Sequence, residues 1–225
     1  MNHPVEVDFY YDPISPYAYL AFAQLPLALQ GLSVRVRYVP LLFAALLKAG
    51  GQKGPAEIAG KREWTYRQVA WQAQHLGVPL DLPRTHPFNP LALLRLGLAA
   101  ADADGCTNRW VTQQLFEHVW LGGEDASDAK RQTALAARLQ AHVDQRGGAW
   151  QDPQAQAVKT RLRANTESAL ALGVFGVPSV VYQERVFWGL DALPMLRDAV
   201  TGGAWFEGDG WSAAAALPAG VVRAI

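Results

Sequence analysis

Two strand-like runs frame a helical one at the start of this chain, and strands then vanish for most of its length. Val5 to Tyr11 alternates in polarity and is rich in β-branched and aromatic residues, as a half-buried strand requires. PYAYLAFAQLPLALQ, from Pro16 to Gln30, reads as a helix with Ser15 in position to cap it and Pro16 in its first turn. Pro26 is expected to bend or interrupt that helix, and Gly31 to end it. Ser33 to Pro40 alternates again as a second strand. A strand, a helix and a strand in close succession imply a parallel pair joined by a right-handed crossover.

From Leu41 to Leu172 helical periodicity dominates, through FAALLKAG, KREWTYRQVAWQAQHLG, NPLALLRLGLAAADADG, NRWVTQQLFEHVWLGG and two further amphipathic runs. Strand signals return at PSVVY (Pro178 to Tyr182) and RVFW (Arg185 to Trp188), with Gln183-Glu184 as the turn. A last helix is predicted from Asp191 to Val200, and the Gly-, Trp- and Ala-rich stretch after Thr201 receives no assignment. This order is that of an α/β, thioredoxin-like fold with a large helical domain inserted after its second strand. The predicted division is a discontinuous thioredoxin-like domain, 1–40 and 173–225, and an all-helical insert, 41–172.

Bulk properties remove several function classes. Lys+Arg and Asp+Glu are both 20 in 225 residues, so no basic field exists to hold nucleic acid, and no nucleic-acid partner is expected. The densest basic stretch, Lys53 to Arg67, is broken by Glu57 and Glu63. Uncharged apolar runs such as Val39 to Leu47 fall far short of the ~20 residues of a membrane span. With Cys106 as the single cysteine and no secretory pattern at the N-terminus, a cytoplasmic or organelle-matrix location is expected, the cytoplasm first. The five histidines (His3, His75, His86, His118 and His142) lack metal-ligand spacing, so no metal is expected. GPAEIAGK departs from a phosphate loop in its spacing and in Arg62, and no Gly-x-Ser-x-Gly elbow occurs.

What remains is the junction of the first strand with the first helix, where thioredoxin-fold enzymes keep their reactive group. Disulfide oxidoreductases place Cys-x-x-Cys there, because the helix N-terminus lowers the first thiol's pKa. Here that place holds Ser15, and thiol–disulfide exchange by this chain alone is excluded. Ser15 admits two readings: a helix N-cap, or a donor to an anion held at the positive end of the helix. ALGVFGVPS leads into the third strand, and the Val177–Pro178 bond is expected to be cis and to face Ser15.

DFYYDPISPYAYLA, PAEIAGKREW, GVFGVPSVVY and FWGLD, in that order, resemble the 2-hydroxychromene-2-carboxylate isomerase family and its relative, the kappa-class glutathione transferases. Both belong to the DsbA-like branch of the thioredoxin superfamily, and the likeness runs from about Asp8 to Leu196. The resemblance implies glutathione as cofactor, with Ser15 against its sulfur, so that the reactive group is a borrowed thiolate. It implies cofactor contacts from Gly176, Val177 and Pro178 to the cysteinyl part, and from Trp188, Gly189, Leu190 and Asp191 to the γ-glutamyl end. Asp191 is expected to meet the ammonium, to cap the last helix, or both.

For substrate the resemblance implies Lys48 as the cation for an aromatic carboxylate, with Lys61 and Arg62 in reserve and Asn89 nearby. The implied reaction interconverts 2-hydroxychromene-2-carboxylate and trans-o-hydroxybenzylidenepyruvate. Two alternatives stand beside it, a kappa-like transferase and a non-catalytic DsbA-like binding protein. Tyr19, where the kappa class favours tryptophan, leans towards the isomerase. Gln52, Ala18 and Ala192 depart from the family's usual asparagine, serine and arginine, which bears on the substrate more than on glutathione. A homodimer is a further expectation, and Cys106 is expected to be incidental.

Overall fold

The computed structural model describes residues 4–218 and Gly220. Its centre is a four-stranded sheet in the order β2-β1-β3-β4, built from β1 (Val5–Tyr11), β2 (Val34–Pro40), β3 (Ser179–Tyr182) and β4 (Arg185–Trp188). β1 pairs parallel to β2, with Phe9 opposite Tyr38, and antiparallel to β3, with Phe9 opposite Val180. Because β1 is central, both of its faces are buried. Val7, Phe9 and Tyr11 enter one apolar cluster and Tyr10 the other, as a strand's period of two dictates. The Gln183-Glu184 hairpin turn has φ of 48° and 61°, the sense that suits a two-residue connection.

Helix α1 (Pro16–Ala28) crosses from β1 to β2. It passes through Pro26 without a break, so the interruption expected as one of two outcomes there does not occur. Proline there cannot donate to the Phe22 carbonyl, and the Arg109 guanidinium donates to that oxygen instead at 3.4 Å. Between β2 and β3 lie α2 (Phe43–Ala49), α3 (Lys61–Leu76), α4 (Leu91–Ala99), α5 (Arg109–Trp120), α6 (Ala129–Gln145) and α7 (Gln156–Ala171). The last helix also starts later than predicted. A 3₁₀ turn over Leu190–Ala192 precedes α8 (Leu193–Val200), whose first turn holds Pro194. The unassigned tail forms two short helices, α9 (Ala204–Glu207) and α10 (Gly210–Ala215). They set Phe206 and Trp211 against Phe187, with Arg185 over both rings. That cluster covers the side of edge strand β4.

Candidate active site

β1 ends at Tyr11, and Asp12-Pro13-Ile14 turns the chain into α1. Ser15 is the N-cap, with extended backbone (φ −85°, ψ 117°), and its Oγ accepts from Ala18 N at 3.2 Å. The capping reading is therefore met, and it uses only an acceptor lone pair. The hydroxyl proton is left to donate to the Val177 carbonyl at 3.3 Å. Ser15 is 7% exposed, and the first turn of α1 contains no acidic residue to offset its positive end.

The Val177–Pro178 bond is cis and Val177 faces Ser15, as the sequence led us to expect. Gly176, Val177 and Pro178 are all buried. The Val177 N–H finds no acceptor among the described residues. Pro178 O accepts from Gly189 N at 2.9 Å, which ties the proline to the loop after β4. Two glycines are dictated by that junction. At Gly176 a Cβ would lie 2.6 Å from Trp188 Nε1, and Gly189 has φ of 100°. Trp188 (54% exposed) and Phe175 (50%) form an open aromatic pair beside it, 5.0 Å between centroids.

Ser15, Gly176, Val177, Pro178, Trp188 and Gly189 are thus contiguous. Leu190 and Asp191 sit one step further round. They line a groove of about 540 Å³ along the C-terminal half of α1, with Gln24, Leu27 and Arg197, that includes neither Ser15 nor Pro178. Asp191 is exposed and does not cap α8, whose N-cap is Ala192; the cap expectation fails because the 3₁₀ turn intervenes. Lys48 is exposed in the last turn of α2. Lys61 is the first, exposed residue of α3, and its neighbour Arg62 donates to His86 O at 2.8 Å. Asn89 is exposed, and its Oδ1 accepts from Leu91 N at the entry to α4.

Two polar residues that sequence reasoning passed over hold the Ser15 turn. His86 Nε2 donates to Ile14 O at 2.7 Å, which fixes the tautomer and leaves Nδ1 to accept from Tyr66 Oη at 2.7 Å. Burial, with a smaller push from Arg62, holds the imidazole below its usual pKa. Asp12, fully buried, accepts from Ile14 N and from Phe43 N, and burial pushes its carboxyl up to about 7. Trp120 Nε1 adds a bond to Pro13 O at 2.9 Å. An acid closing a strand otherwise destined for the core was the one signal available beforehand. Cys106 is buried elsewhere, 3.5 Å from the Arg37 guanidinium, and burial raises its pKa.

No group of three or more His, Cys, Asp or Glu side chains among the described residues is arranged to hold a metal ion. No helix among them is long and apolar enough to cross a membrane.

This arrangement can be set beside known proteins. The 2-hydroxychromene-2-carboxylate isomerase of Pseudomonas putida is 29% identical over 196 residues, covering 86% of this chain and 93% of that protein. Glutathione S-transferase kappa 1 of Homo sapiens is 24% identical over 204 residues, covering 86% and 89%. A solved 2-hydroxychromene-2-carboxylate isomerase shares the fold, with a TM-score of 0.72 at 23% identity over 91% of this chain and 98% of that one. The profile of the DSBA-like thioredoxin domain matches residues 6–201, from the first strand through the intervening helices to the end of α8. The chain therefore belongs to the DSBA-like thioredoxin domain family.

Proposed function

We propose that this chain is a glutathione-dependent isomerase acting on an aromatic ring-cleavage product of the 2-hydroxychromene-2-carboxylate type. One observation carries the reading: Ser15 Oγ–H points at the Val177 carbonyl from the N-terminus of a helix with no acid in its first turn. Such a site offers a donor and a positive helix end but no nucleophile, so it suits a thiolate brought by a cofactor. The names borne by its relatives, an isomerase and a glutathione transferase, point the same way. When bound, glutathione would supply a sulfur nucleophile that adds to the substrate and leaves again.

The chain's part is to hold charge and orientation. A thiol of pKa about 8.5 is only about 3% ionised at pH 7, and lowering that pKa by two units takes about 2.7 kcal/mol. A hydrogen bond from Ser15 to the charged sulfur would contribute about 1.5–3 kcal/mol and the helix end about 0.3–1. Val177 N–H and C=O would pair with the cysteinyl backbone as an added strand does. Trp188, Gly189, Leu190 and Asp191 would take the γ-glutamyl arm, with Asp191 against the ammonium. Lys48 would meet the substrate carboxylate, with Lys61 and Arg62 in reserve and Asn89 as a further polar contact.

The likeness to the kappa transferase favours a second reading, in which glutathione stays on the product. Turnover separates the two. Given a chromene carboxylate and sub-stoichiometric glutathione, an isomerase completes many cycles, whereas a transferase stops when the thiol is consumed. A protein that shows no affinity for glutathione would sink both.

A further inference from the structure

Among the described residues, Asp12 is the one fully buried carboxylate next to the site that the proposed chemistry does not use. No salt bridge to it exists among the described residues. Its two oxygens are divided between two elements: Oδ1 accepts from Ile14 N at 3.1 Å and Oδ2 from Phe43 N at 3.0 Å. The bond to Ile14 is a local turn that Asp or Asn makes readily. The bond to Phe43 is not local, since that residue opens α2, the helix bearing Lys48.

We propose that Asp12 is a positioning residue, fixing the Ser15 turn against α2 through the Ile14 and Phe43 amides. The inference rests on the reading of Ser15 as the group that holds a glutathione sulfur. Its physical basis is the count of acceptors. A buried carboxylate with no cation is costly, and a neutral amide of the same shape would be less so. Asparagine, however, offers one oxygen, and its –NH₂ would face the second backbone N–H donor to donor. Only the acid accepts from both elements at once. The rest of the turn is held by other elements, by Trp120 on Pro13 O and His86 on Ile14 O. Releasing Asp12 therefore frees the turn on the α2 side alone, and a donor that must sit within about 0.5 Å of its target loses most from that freedom.

The test uses Asp12→Asn and Phe43→Pro in the full chain. Proline suits the first position of a helix, and Leu42 before it is already extended (φ −89°, ψ 103°), so this variant keeps the carboxylate and cuts its tie to α2; it also removes a half-buried ring, for which Phe43→Ala, keeping the N–H, is the control. In Asp12→Asn, amide-exchange protection is expected to fall about tenfold in both segments, 12–15 and 42–45. The thiol pKa of bound glutathione should rise by about one unit and kcat fall about tenfold, with glutathione affinity within about threefold of wild type. Phe43→Pro should move the same quantities by about threefold, and decides the matter if Asp12→Asn does not fold. Wild-type protection in both variants overturns the proposal, as does lost protection with an unmoved thiol pKa and kcat. A wild-type protein that binds no glutathione defeats the reading of Ser15 instead. In that case the paired exchange still decides whether Asp12 ties the two elements.

Discussion

Replacing Ser15 by alanine removes one oxygen with two separable uses. As a cap it accepts from Ala18 N, and losing that costs about 1 kcal/mol of stability, a fall of about 2–4 °C in Tm for a chain of this size. As a donor it now serves the Val177 carbonyl at 3.3 Å, a long bond worth about 0.5 kcal/mol. Turning the same proton to a thiolate would gain about 1.5–3 kcal/mol, so the net contribution at the sulfur is about 1–2.5 kcal/mol. The variant should therefore lose about fivefold to seventyfold in kcat/KM. The thiol of bound glutathione should rise by about one to two pKa units. Titrating thiolate absorbance in the complex reads the second quantity directly, and a thermal melt reads the cap. A variant that shows the melting shift yet keeps the bound thiol's pKa and near-normal turnover would refute the reasoning, leaving Ser15 as a cap and nothing more.

Asp12 supplies a prediction of opposite sign to the usual acid. Burial raises its folded pKa to about 7 from 3.8, so the stability linked to its proton is fully present below about pH 4 and is lost as pH rises through about 7. The stability difference between wild type and Asp12→Asn should move by about 2–3 kcal/mol in favour of wild type from pH 8 to pH 5. His86 and His118, which burial holds below their usual pKa, act oppositely but in both proteins, and a flat difference would contradict the burial of Asp12. Gly176→Ala places a Cβ 2.6 Å from Trp188 Nε1 and must push that exposed indole aside. A stability loss of about 1 kcal/mol, a shifted tryptophan emission and weaker glutathione binding are expected; unchanged emission and affinity would show that the junction tolerates a side chain. Lys48 is exposed, so its pairing with a substrate carboxylate is screened to about 1 kcal/mol. Lys48→Ala should accordingly raise KM about fivefold for the carboxylate and leave an uncharged electrophile unaffected; equal effects on both would remove its role.

Much of this framework was legible in the chain itself. The β1-α1-β2 opening, the long helical stretch, the β3-β4 hairpin and the Ser15 cap all follow from patterns among near neighbours, because strand alternation, helix periodicity and capping hydrogen bonds are local. Other features depend on partners far away in sequence. Pro26 reads as a break until Arg109 satisfies the Phe22 carbonyl. Asp191 reads as a cap until the loop after β4 closes through Gly189 onto Pro178 as a 3₁₀ turn. Trp211 and Phe206 are plain in the composition, but only packing shows Phe187 and Arg185 as their partners. Asp12 and His86 are the furthest from local rules: their partners, Phe43 and Ile14, lie 31 and 72 residues away. The chain alone determines where the donor sits at the head of its helix. Tertiary packing decides what holds that donor in place, because a buried carboxylate or imidazole acquires its meaning from whichever distant amides and carbonyls the fold brings to it.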